Sequence, residues 1–231
     1  MSSKEENLKE KLKQALNSTV RVISEDYNTA DKKDVDYFQI ENLNSKNDFI
    51  KARAEADTSA LKKKFSDGEV YKKNMPANSS YKSLYSIAEK IRYESLGRKM
   101  LKGIEKNLDE NYYQIINSKK NDQIKTKEDM PVVEAFELYM LKKFHNIKLN
   151  LTTTKMLNFW EKDFDEVIEK HLEFLKENLE YQSKYSSKFS EILQDMKIFQ
   201  NEEDINYKEE DKEEGQDTPS NEDQENSSED K

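Results

Sequence analysis

Cysteine is absent from all 231 residues, which excludes disulfides, thiolate metal sites and cysteine nucleophiles. Proline occurs three times and glycine four times, so residues that break helices are scarce. No apolar run reaches the length of about 18 residues that a membrane-spanning helix needs. The opening MSSKEENLKEKLKQ lacks an apolar h-region, which argues against a secretory signal and for a cytoplasmic protein. His145 and His171 are the only histidines. They form neither a His-Glu-x-x-His nor a Glu-x-x-His arrangement, so no metal site is expected in this chain. A Gly-x-x-x-x-Gly-Lys-Ser/Thr phosphate loop is also missing, and ATP binding by this chain is not expected.

What is abundant is charge, at 38% of residues against 34% hydrophobic. Its distribution is uneven. Residues 201–231 hold 14 acidic residues and three lysines, while residues 1–200 hold 34 acidic and 36 basic ones. The acidic balance belongs to the tail, and the body is close to neutral. Short basic runs at 62–64, 72–73, 119–120 and 142–143 read as solvated helix faces, a poor footprint for nucleic acid.

Apolar spacing predicts helices through most of the body. Leu8, Leu12 and Leu16 mark a short helix over 5–16. The β-branched and aromatic stretches 19–23 and 35–40 suggest a small hairpin. Ser45 and Asp48 form a capping-box pattern that opens a helix running to about Phe65, ended by Ser66, Asp67 and Gly68. Ser79 or Ser80 caps a long helix expected to reach about Asn117. Pro131 suits the first turn of the next helix, and a shorter one is expected over 149–160. Trp160, Phe159 and Phe164 read as core or interface anchors. From Phe164 to Phe199 an apolar stripe steps by threes and fours, interrupted only by Gln182, and predicts one helix of roughly 50 Å. The tail from Asn201 has too little apolar surface to offset its ordering entropy and reads as disordered.

The segment 89–108, EKIRYESLGRKMLKGIEKNL, is the most informative. Gly97 and Gly103 sit inside a helical run, where each costs about 1 kcal/mol relative to alanine. That asks for close approach of another backbone or a partner surface. Glu89 and Arg92 share a helix face and can pair, while Glu94 points elsewhere. Arg53 and Asp57, four apart, can pair in the same way.

This segment resembles the Glu-x-x-Arg-x-Glu-x-x-Gly-x-x-Met-x-Gly-x-x-x-Asn-Leu helix of the CobT-type subunit of aerobic, ATP-dependent cobaltochelatase. Glu89, Arg92, Glu94, Gly97, Met100, Gly103, Asn107 and Leu108 occupy the motif positions. The stretch RAEADTSAL from Arg53 to Leu61 is similar to the family's Arg-x-x-Ala-Asp-x-x-Ala-Leu segment. Residues 157–189, with Trp160 and Gln182, followed by Leu193, resemble its last helices before an acidic linker.

The resemblance implies partners: an AAA+ ATPase subunit and a large chelating subunit, which together insert Co2+ into hydrogenobyrinic acid a,c-diamide using ATP and Mg2+. It implies a non-catalytic chain that binds no cofactor itself and is able to join further copies in a ring complex. Arg53, Asp57, Glu89, Arg92, Glu94, Gly97, Met100, Gly103 and Asn107 are then helix-locking or partner-binding residues. Family members also carry a C-terminal von Willebrand A-type domain with an Asp-x-Ser-x-Ser motif. That motif does not occur here, and the expectation is either a truncated or partial product or a missing domain supplied elsewhere.

The expected fold is mainly α: an irregular domain of long antiparallel helices over residues 1–200, with a hairpin in 19–40 and an acidic linker over 201–231. Three readings of function follow. The first is a scaffold coupling an ATPase ring to a chelating subunit. The second is a stand-alone helical protein that self-associates through the C-terminal stripe. The third is a helical enzyme with its own pocket of perturbed carboxylates.

Overall fold

The computed structural model describes residues 3–25, 43, 45–120, 124–196 and 198. Every element among them is helical, and all belong to one unit, Met1–Met196. The expected strand over 35–40, position Phe199 and the acidic linker over 201–231 lie outside the described residues.

Helix α1, Ser3–Ser24, extends well past the predicted end at Leu16. The β-branched residues 19–23 belong to it, which corrects the first strand of the expected hairpin. The apolar spacing explains the extension. Leu12, Leu16, Val20 and Ile23 meet Ala52, Ala56 and Ala60 of α2, Lys46–Phe65. Three alanines at spacing four let two helix backbones approach closely, and tertiary packing overrides the weak β propensity of Thr19 and Val20. Ser45 and Asp48 cap α2 reciprocally, as expected.

After Ser66, Asp67 starts a new helix instead of only closing the old one. Its carboxylate accepts from the Glu69 and Val70 amides and opens α3, Gly68–Asn74. Asn78 caps α4, Ser79–Met100. The predicted continuous helix to Asn117 breaks at Leu101, whose extended backbone (φ −141°, ψ 120°) serves as C-cap of α4 and N-cap of α5, Lys102–Ser118. No proline or positive φ marks the break. The turn lets α5 fold back on α2 and α4, burying Leu108 and Tyr112.

Pro131 immediately precedes α6, Val132–His145. Asn146 ends that helix in the left-handed region, φ 54°. Asn150 caps α7, Leu151–Asn158. The Trp160 indole N–H donates to Met130 O at 3.0 Å, and Lys127 lies 4.3 Å over the ring.

The 50 Å helix is not present. The stripe is divided among α8, Glu161–Ile168; a 3-10 turn, Glu169–His171; α9, Leu172–Glu177; and α10, Gln182–Asp195. Asn178, whose side chain bonds back to Phe174 O at 2.8 Å, ends α9 without glycine or proline. Each break preserves the inward face. Phe164, Ile168, Leu172, Leu175, Leu179, Tyr185, Phe189, Ile192 and Met196 are all buried inside the chain. Phe136 of α6 anchors them, with Phe164 and Phe189 ring centroids at 5.4 and 6.1 Å. No described helix is long and apolar enough to cross a membrane.

Candidate functional site

Helix α4 carries three buried charged residues close together: Glu89, Arg92 and Glu94 are 2%, 1% and 0% exposed. Burial at that level requires partners, because an unpaired ion away from water costs several kcal/mol. Arg92 Nε donates to Glu89 Oε2 at 3.2 Å. Its Nη1 donates to Leu179 O at 3.0 Å, and Nη2 to Phe65 O at 2.5 Å and Ser66 Oγ at 3.3 Å. One guanidinium therefore binds carbonyls at the end of α2 and in the turn before α10. Glu89 Oε2 also accepts from Gln182 Nε2 at 3.2 Å, and Oε1 accepts from Ser186 Oγ at 2.5 Å. Gln182 also accepts from the Asp67 amide at 2.7 Å. The pair expected to lock helices or to bind a partner is the centre of a buried lock joining α2, α3, α4 and α10.

Glu94 points to a different neighbour. It accepts from Thr58 Oγ1 at 2.9 Å and from the Tyr112 hydroxyl at 2.6 Å, tying α4 to α2 and α5. Burial pushes its carboxyl above the usual carboxylate range, against the opposing pull of Lys90 and of these two bonds. Asp57, 4% exposed, accepts from Asn107 Nδ2 at 2.6 Å. Burial raises Asp57 too, partly offset by Asn107 and by the charge of Arg53. Among the described residues no direct ion pair joins Arg53 to Asp57, which corrects that expectation. The Arg53 guanidinium instead lies 5.5 Å over the Phe49 ring.

The two glycines differ. A Cβ on Gly97 would come within 2.4 Å of both Leu61 methyls, and Leu61 is fully buried. The close neighbour is a side chain of α2, not the backbone or partner surface that the sequence suggested. A Cβ on Gly103 would meet nothing within 4 Å. Gly103 opens α5 in solvent and is no packing notch, because the break at Leu101 removes it from the helix interior. Met100 is likewise outside, at 37% exposed. Replacing Gly97 by alanine gains about 1 kcal/mol of helix propensity and loses about 1–3 kcal/mol to overpacking. A net loss near 1 kcal/mol is expected in urea unfolding, and a larger one, about 3 kcal/mol, for Gly97→Val. Stabilisation of Gly97→Ala by the full propensity gain would contradict the contact with Leu61.

Sequence reasoning missed a second polar pair. Ser95 Oγ donates to Ile91 O at 2.6 Å, so His145 Nε2, 3.1 Å away, must donate to Ser95 Oγ. That leaves His145 Nδ1 a buried acceptor without a partner. The imidazole is pushed down to about 3, first by burial and then by Arg98. No spacing motif announces this pair. His171, also on the sequence short list, is partly exposed beside Leu172, a boundary position. Among the described residues no group of three or more His, Asp or Glu is arranged to hold a metal ion.

The two kinds of buried group act oppositely on stability. Below pH 6.5, the ordinary value for histidine, the unfolded chain binds a proton that folded His145 refuses. Stability therefore falls with pH through the window from 6.5 to 3, by about 2 kcal/mol at pH 5. Glu94 and Asp57 have raised folded values, so their contribution is fully present below the ordinary carboxylate range. It is lost as pH rises through those raised values. His145→Gln should flatten the first dependence and Glu94→Gln the second. Urea midpoints from pH 4.5 to 8 check both, and unchanged slopes in the variants would contradict the assignments.

Asp57, Glu89, Arg92, Glu94, Asn107 and Gln182 lie on the segments that carry the resemblance. The family model described as cobalamin biosynthesis protein CobT matches residues 6–231. The chain belongs to that family, and its role lies in cobalamin biosynthesis. No curated protein and no solved structure matches it.

Proposed function

We propose that the chain is a non-catalytic subunit of an ATP-dependent cobaltochelatase, a frame that couples an AAA+ ATPase subunit to the large chelating subunit in the cytoplasm. The ATPase supplies ATP and Mg2+ handling, Co2+ is the substrate metal, and hydrogenobyrinic acid a,c-diamide is the acceptor. This chain holds no cofactor of its own in that scheme, and copies of it can sit within a ring assembly.

The observation that carries the reading is the engagement of the charged signature inside the fold. Glu89, Arg92 and Glu94 are spent on holding α2, α4, α5 and α10 together. Such a network transmits displacement between packed elements, and contacts that differ between ATPase states are sufficient for coupling. The signature positions outside the network, Met100 and Gly103, flank Leu101, which is 48% exposed. This α4–α5 corner is the surface we assign to the partner.

Co-purification with the AAA+ subunit encoded by the same genome tests the reading, with ADP or a non-hydrolysable ATP analogue and Mg2+. Association that depends on the nucleotide, and that Leu101→Asp weakens without changing the melting temperature, is expected. Absence of association in every nucleotide state would overturn the proposal.

A further inference from the structure

Away from the α4–α5 corner, the second half of α2, the start of α3 and the middle of α4 line an open groove of about 560 Å3, with Lys62 and Ser86 exposed at its rim. That is within the range of roughly 300–1,000 Å3 typical of small-molecule sites. Tyr93 of α4 forms part of its wall and is 7% exposed, yet its hydroxyl has no protein partner among the described residues. The Ser59 hydroxyl from α2 and the Ser86 hydroxyl from α4 also line the groove without partners among the described residues. Lys62 stands at the same wall with no acidic side chain paired to it among them.

The carboxylates nearby are already engaged. Glu89 accepts from Arg92, Gln182 and Ser186, and Asp67 accepts from two backbone amides. What remains available is an ammonium, hydroxyls that can donate, and the aromatic faces of Tyr71 and Tyr93. Burial, with Glu94 and Glu89 nearby, raises the Tyr93 phenol, so it keeps its proton as a donor. The ring of Tyr93 is buried while its hydroxyl has no protein partner among the described residues, so it is free to donate to a molecule seated in the groove.

We propose that this groove binds a small organic carboxylate with an apolar, ring-sized body, its anionic end held by Lys62, Ser59 and Tyr93. The site is independent of the chelatase reading and of the α4–α5 corner. Gly68 opens it on the α3 side, where an added side chain would meet nothing within 4 Å of its Cβ.

The test is a titration of the full chain with 2-naphthoate and, separately, with neutral 2-naphthamide, followed by amide 1H–15N shifts. Naphthoate should move the Ser59, Gly68 and Ser86 amides with a single saturating curve. Lys62→Glu should weaken naphthoate by at least about tenfold, the loss of a charge-assisted bond, and leave naphthamide unchanged. Tyr93→Phe should weaken it by about threefold, the value of one neutral hydrogen bond. Gly68→Leu should block both ligands with the fold intact by circular dichroism, and Lys106→Glu on exposed α5 should change nothing. No binding at millimolar naphthoate, shifts centred elsewhere, or equal affinity in Lys62→Glu would each overturn the proposal.

Discussion

Arg92→Met is expected to lower the unfolding free energy by about 3–5 kcal/mol, the usual cost of leaving a buried charge uncompensated. For a domain of this size that corresponds to a melting temperature lower by roughly 10 °C. The loss is large because one residue satisfies acceptors in three places. Without it, Glu89 keeps only its bonds from Gln182 and Ser186, and Phe65 O and Leu179 O lose their side-chain donor. Arg92→Lys should recover less than half, since a point ammonium cannot reproduce a planar fork that reaches four acceptors. Urea denaturation of the three proteins checks this. A loss below about 1 kcal/mol, typical of an exposed pair, would mean that the lock contributes nothing.

Leu175→Asp is the second large effect. Leu175 is fully buried within the chain. The substitution forfeits about 1.5–3 kcal/mol of apolar burial and introduces an unpaired carboxylate. A total loss of at least about 4 kcal/mol is expected, enough to unfold a marginal domain. The stripe reading of a stand-alone self-associating protein makes a different prediction: a folded monomer released from a dimer. Sedimentation combined with circular dichroism separates the two. Loss of helicity at every concentration is the result the fold demands, and a well-folded Leu175→Asp monomer would restore the self-association reading.

How much the sequence disclosed depends on the kind of signal. The Ser45–Asp48 box, Pro131 at the start of α6 and the helical character of the body are local, and local chemistry is legible. The inward face of the C-terminal stripe was also legible, because α8, α9 and α10 preserve its register. The breaks at Leu101 and Asn178 were not, since neither carries glycine, proline or a positive φ. Tertiary packing imposes them. Thr19 and Val20 show the same override in the other direction, where α1 against three alanines outweighs β propensity.

For the site, spacing paired Glu89 with Arg92 correctly, but it could not reveal that both are buried. It paired Arg53 with Asp57, whereas Asn107, fifty residues away, is the direct partner of Asp57. Gly97 and Gly103 looked alike in sequence, and only the helix break distinguishes them. Gln182 was visible all along as the sole interruption of the stripe. A polar residue on an otherwise apolar face marks a buried partner, and here the partners are Glu89 and the Asp67 backbone.

The central claim is that Glu89 and Arg92 act as one buried unit holding the frame together. Measuring Glu89→Gln in urea, once in the native background and once beside Arg92→Met, tests it most directly. In the native background the substitution should destabilise, because it strips Arg92 of its counter-charge. Beside Arg92→Met it should stabilise, because it removes a buried carboxylate that has lost its partner. The same sign and size in both backgrounds, within about 0.5 kcal/mol, would show two independent residues and contradict the claim.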